Sequence, residues 1–184
     1  MATDLPNVID SVLGQNVSDN AHLVAGNIQV KELDWMVKSE HWSWADAKSV
    51  SSPSLAKDSV LLEPPFDLIV TSDTIYIPQL AQPLLRTIHA LASLSSGGGK
   101  PPLILLCFER RDPSLIDHTL NDAHKIWGLK PERIPHKKLV QAIGKAGLEW
   151  DKEDWDGVEL WKLKLEKPSE GQLVEPGHKI DTVR

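Results

Sequence analysis

Apolar positions in this chain change their period along its length. Over residues 6–20, Val8, Ile9, Val12 and Leu13 recur at helical spacing and Pro6 suits a first turn, which predicts a helix. Residues 28–33 alternate apolar and polar side chains, a strand pattern that runs out at Asp34 and Trp35. Residues 36–64 are polar, with Ser49 to Ser54 and Pro53 marking a long loop, an expected insertion beside a site. Leu68-Ile69-Val70 is too short for a helix and rich in β-branched side chains, so 67–72 predicts a buried parallel strand. Leu80, Leu84, Ile88 and Leu91 then give a helix over about 79–94, and 103–108 gives a second buried strand. Asp112-Pro113 opens a helix that runs to Trp127 and is stopped by Gly128. A short edge segment at 131–135, a helix over 137–146 and an alternating last strand at 158–165 follow. From Lys167 there is little to bury, so 167–184 reads as a disordered tail and 1–166 as one domain. Strands alternating with helices predict an α/β fold, a mainly parallel sheet in three layers.

The strand at 67–72 ends on Thr71, Ser72 and Asp73, small polar residues at a carboxyl end, where open α/β sheets bind ligands. Tyr76 follows three residues beyond Asp73, so an acid and a phenol can face one pocket. The plainer alternative is that Asp73 caps the next helix and Tyr76 packs on it. Asp4, just before Pro6, is likewise a possible helix cap.

These segments also form an ordered pattern. Phe66-Asp67-Leu68-Ile69 followed by Ser72-Asp73-Thr74-Ile75-Tyr76 resembles the Asp-x-x-Tyr segment of the seven-strand protein methyltransferases called methyltransferase family 16. Thr3-Asp4-Leu5-Pro6 resembles that family's second-strand acid. Asn16, Asn20 and Val30-Lys31-Glu32-Leu33-Asp34-Trp35 resemble its Asn…Asn…Leu-Asp-Trp run, and Cys107-Phe108-Glu109-Arg110-Arg111 its fifth strand and following loop. The likeness spans roughly residues 2–166 and is greatest to the branches that methylate valosin-containing protein, a hexameric ATPase, and fungal elongation factor 1-alpha.

The resemblance implies a Rossmann-like three-layer sandwich with a seven-strand, mainly parallel sheet, and S-adenosyl-L-methionine as cofactor. Asp4 would accept hydrogen bonds from the ribose, Trp35 would cover the adenine, and Ser72 would lie near the methionine portion. Asp73 and Tyr76 would be the catalytic pair shaping the acceptor-lysine channel; Glu109, Arg110 and Arg111 are either substrate contacts or structural. The family's Gly-x-Gly loop belongs upstream of Asp4, so the expectation is an N-terminally truncated domain lacking the central first strand and marginally stable in isolation. Gly97-Gly98-Gly99 follows a helix and precedes a strand, the wrong context for a cofactor loop, and reads as a connector. A lysine N-methyltransferase acting on a cytosolic protein is the leading expectation. A non-catalytic fragment acting as a binding partner and a small-molecule N-methyltransferase are the alternatives.

Composition narrows this further. The net charge of −6 leaves no basic footprint for nucleic acid. No apolar run approaches the ~18 residues of a membrane span, and the first residues have no signal-peptide layout. The single Cys107, inside an apolar strand, fits a reducing compartment, so a cytoplasmic monomer is expected, the nucleus being the other location. The seven histidines show no metal-ligand spacing, and no metal is expected. Seven tryptophans stand against one tyrosine and two phenylalanines. Trp127, Trp150 and Trp161 sit in apolar surroundings, whereas Trp42 and Trp44, in a polar stretch, suggest a partly exposed patch.

Overall fold

The structure, a computed structural model, describes residues 1–24, 26–51, 61–98, 100–148, 151 and 157–166. The expected tail from Lys167, the turn at Pro53, Gly99 and Trp150 lie outside the described residues. Six strands form among those described: β1 (Ala2–Asp4), β2 (Val30–Glu32), β3 (Leu68–Ser72), β4 (Leu103–Glu109), β5 (Leu129–Ile134) and β6 (Val158–Leu165). They group into two sheets. β1 and β2 pair in parallel, with Asp4 opposite Glu32. The other sheet has the order β3–β4–β6–β5, parallel between β3 and β4 and antiparallel at both pairings of β6. The α/β class and the Rossmann-like arrangement expected from the sequence are therefore present. The resemblance puts one more strand between the counterparts of β1 and β3, and at that place the structure has a cleft.

Five α-helices connect these strands: α1 (Pro6–Val8), α2 (Gly14–Asn20), α3 (Pro78–Ser95), α4 (Pro113–Lys125) and α5 (His136–Lys145). α3 starts with Pro78 in its first turn, where a missing N–H costs nothing, and buries Leu84, Leu85, Ile88 and Leu91. α4 is capped by Asp112, whose Oδ1 accepts the Leu115 N–H at 3.0 Å. Gly128 then takes φ 60°, the left-handed turn that ends a helix without strain only at glycine. With Ile104, Leu106, Ile116, Leu129 and Leu163, these helices enclose one core.

Two expectations are corrected, and two side-chain environments are added. Between α1 and α2 the chain makes a π turn, Ile9–Leu13, in which the Gly14 N–H donates to the Ile9 carbonyl. That wider turn breaks the 3.6-residue phase, so Val12 leaves the predicted apolar face and is 51% exposed. β3 is parallel but not buried on both faces: Ile69 is 8% exposed, whereas Leu68 and Val70 are 51% and 56% exposed toward the cleft. Lys31, a polar position of the alternating strand, is fully buried. Burial pushes its ammonium below the usual lysine range, Asp46 and Glu63 pull it back, and its Nζ donates to the Trp44 carbonyl at 3.5 Å. Finally, Trp42 and Trp44 are partly exposed, as expected. They stack edge to face with each other and, through Trp44, with Phe66, partly buried against the core. The described first part of the expected insertion, residues 36–51, thereby folds back onto β2, where Val50 is buried and its N–H donates to the Glu32 carbonyl at 2.9 Å.

Candidate functional site

The cleft between β1 and β3 has a volume of about 620 Å³ and is walled at its side by Leu84, Ile88 and Leu91 of α3. All five residues singled out in the sequence, Asp4, Trp35, Ser72, Asp73 and Tyr76, line it. They arrive from three places: the end of β1, the turn after β2, and the end of β3 with its following loop. Parallel pairing within each sheet brings carboxyl ends side by side, which is why residues so distant in sequence share one rim.

Asp4 does not cap the helix. The first helical turn is preceded by Leu5 and has no side-chain cap, and among the described residues the Asp4 carboxylate accepts the neighbouring Leu5 N–H, at 2.8 Å. The rest of its acceptor capacity faces the cleft. Trp35 is partly buried against the core, and its carbonyl accepts from Arg86 Nη2 of α3 at 2.7 Å; Met36 is held by the same nitrogen at 3.1 Å. Sequence reasoning missed Arg86, because a cation on the polar side of an amphipathic helix carries no sign of a partner fifty residues away.

Asp73 is the one described non-glycine residue with positive φ, 52°. Aspartate tolerates this region better than most residues, and such conformations concentrate at functional positions. Its N–H donates to the Cys107 carbonyl at 2.8 Å, so the main chain fixes it to β4. α3 is preceded by Ile77 and has no side-chain cap, so the capping reading of Asp73 fails. Tyr76 is 59% exposed and does not pack into the helix as the plainer reading required. Ser72 lies opposite Cys107 in the β3–β4 register. Burial pushes the Cys107 thiol up, against the Ser72 hydroxyl bond that pulls it down, which disfavours the thiolate.

The Glu109-Arg110-Arg111 block divides between both roles offered for it. Arg110 is structural: its guanidinium bonds Glu159, which is 5% exposed, at 3.0 Å and Asp117 at 2.7 Å. Arg111 points to the site instead, with Nη1 3.3 Å from Asp73 Oδ2 and Nε 2.6 Å from Glu109 Oε2.

Two hydroxyls on the cleft wall, Thr71 Oγ1 and Thr87 Oγ1, are buried without a hydrogen-bond partner among the described residues. Buried polar groups normally find one, and both threonines line the cleft, so what fills the cleft is expected to supply it. A family model described as lysine methyltransferase matches residues 1–125, from β1 through α4. The chain belongs to the lysine methyltransferase family. It is a methyltransferase that uses S-adenosylmethionine as methyl donor. The carboxyl-end rim of the cleft fits that group: Asp4 offers an acceptor-only carboxylate suited to sugar hydroxyls, and Ser72 and Asp73 line the same rim from β3. The apolar flank formed by Leu68 and Val70 lies where the resemblance puts a further strand, so the cleft's volume is not all ligand space. In this methyltransferase no three described His, Cys, Asp or Glu side chains converge as a metal site. No described helix is long and apolar enough to cross a membrane.

Proposed function

We propose that this lysine methyltransferase acts as a cytosolic monomer on a lysine side chain of another protein. Elongation factor 1-alpha and a hexameric ATPase are the acceptors that the sequence resemblance favours. S-adenosylmethionine, when bound, supplies a methyl group on a sulfonium, an electrophile strong enough to need no acid catalyst. The chain's work is therefore to bind, orient and exclude water. Asp4 accepts the ribose hydroxyls, Trp35 covers the adenine, and the Ser72 hydroxyl donates toward the methionine portion. Asp73 receives the acceptor's ammonium at the rim, and Tyr76 gives its alkyl stem and cation an aromatic wall. The amine must be neutral to accept a methyl group. Asp73 is half exposed, so the displaced proton leaves to water at the open rim.

What supports this reading most is that the five side chains line one cleft while the competing structural roles of Asp4 and Asp73, as helix caps, are not realised. The test separates binding from transfer. Asp73→Asn keeps a residue that tolerates positive φ and removes the charge, and Tyr76→Ala removes the wall. Both should bind S-adenosylmethionine like the wild type by calorimetry and lose methyl incorporation into protein lysine. Transfer at wild-type rates per folded molecule in both variants would withdraw the acceptor-channel assignment.

A further inference from the structure

Arg111 faces Asp73 in a way that the binding scheme above leaves unused. Its guanidinium already sits on the carboxylate that the acceptor's ammonium needs. Resting on that scheme, we propose that Arg111 is a place-holding cation: it occupies the ammonium position at Asp73 and yields it by turning wholly onto Glu109. It would then determine specificity for a cationic acceptor.

Three observations carry this. The Arg111–Asp73 pair is exchangeable, since Arg111, Asp73 and Glu109 are 66%, 49% and 47% exposed, and water-accessible ion pairs separate at little cost. The neighbouring Arg110 is the contrast, because its partner Glu159 is buried and leaving it would strand a buried charge. Arg111 also has somewhere to go: Nε is held by Glu109 at 2.6 Å, and its own N–H donates to the Glu109 carbonyl at 2.9 Å. Asp73, for its part, does not depend on Arg111 for its position. The left-handed backbone and the bond to the Cys107 carbonyl keep it at the cleft rim when the arginine leaves.

The consequence for recognition is direct. An incoming side chain displaces Arg111 only if it brings a positive charge of its own, so a neutral side chain of the same length gains nothing at Asp73. Once the ammonium is seated, the guanidinium on Glu109 remains a nearby like charge, which favours loss of the amine's proton. Removing Arg111 should therefore tighten cation binding and, at the same time, make the bound amine harder to deprotonate.

The experiment titrates the full chain, labelled with ¹³C at its aspartate carboxyls, with n-butylammonium, and uses n-butanol as the neutral control. Arg111→Gln should bind n-butylammonium about two- to fivefold more tightly than the wild type, the range of an exposed ion pair. Arg111→Lys should stay near the wild type, Asp73→Asn should not respond, and n-butanol should shift nothing at Asp73. In turnover, the alkaline shift of the pH–rate limb in Arg111→Gln should accompany a lower KM for the acceptor. Unchanged or weakened n-butylammonium binding in Arg111→Gln overturns the proposal, as does an absence of binding in both proteins. Tightened binding without any methyl transfer would instead leave Arg111 as the place-holder and remove the enzyme assignment of the site.

Discussion

The two sheets hold opposite sides of the same cleft, and they are packed very differently. Around β3–β4–β6–β5, the side chains of Leu84, Leu85, Ile88, Ile104, Leu106, Ile116, Leu129 and Leu163 are almost completely withdrawn from water. Around β1–β2, the fully withdrawn side chains are Val50 and Lys31, with Leu33 close behind. The helical run 6–23 contains no buried residue at all. Ser72, Asp73 and Tyr76 thus stand on a rigid frame, whereas Asp4 and Trp35 stand on a lightly packed one. Local stability follows buried apolar contact, so the acceptor rim should be preformed and the cofactor side should gain order when ligand bridges the cleft.

The strongest way to break this comparison is to truncate its better-packed side. Leu106 lies mid-β4 and is 1% exposed. Leu106→Ala should cost about 2–5 kcal/mol, from lost transfer energy and the cavity left behind. Urea denaturation measures it. A cost below ~1 kcal/mol would mean that this sheet is no firmer than the other.

The next effect belongs to the cofactor side. Asp4→Ala should weaken S-adenosylmethionine binding about ten- to a hundredfold, the ~1.5–3 kcal/mol of a charge-assisted hydrogen bond. Its melting temperature without ligand should hardly move, because among the described residues the side chain's hydrogen bond is to the adjacent exposed amide. Unchanged affinity in calorimetry would remove the ribose role.

A third test compares two aspartates that precede helices on the firm side. Asp112 is a cap in fact, and Asp112→Ala should lower stability by ~1 kcal/mol while leaving turnover per folded molecule intact. Asp73→Asn should do the reverse. Equal losses of turnover would show that the methyl-transfer assay is reporting stability rather than chemistry.

The same contrast explains what could be read in the chain. On the firm side, the periodic runs of α3, β4, α4 and β6 appear close to their predicted bounds, because strong periodicity and strong burial have one cause. Asp112 and Gly128 announced themselves through turn chemistry that depends only on near neighbours. The five cleft residues were legible through the motif order, and what each does locally was not. On the lightly packed side, local pattern failed wherever a distant segment decided the outcome. Lys31 is buried because the 36–51 segment brings partners over it, and Trp44 finds a ring partner in Phe66. Arg86 escaped notice and the role of Arg111 stayed open between two readings for the same reason: each is defined by a partner that spacing along the chain does not reveal.

The smallest expected effect is the most specific to the lightly packed side. An uninterrupted α-helix over 6–20 would put Val12 on the same stripe as Val8, Ile9 and Leu13, and Val12→Ser would then bury a hydroxyl and remove methyl contacts. The π turn instead carries Val12 to half exposure, where surface substitutions usually change stability by no more than ~0.5 kcal/mol. Val12→Ser should therefore be nearly neutral in urea denaturation, and it should remain so when S-adenosylmethionine is bound, since Val12 does not line the cleft. A cost above ~1 kcal/mol would mean that the apolar side of this helix is covered in solution. The two sides of the cleft would then be equally firm, and ligand-induced ordering would have nothing to act on.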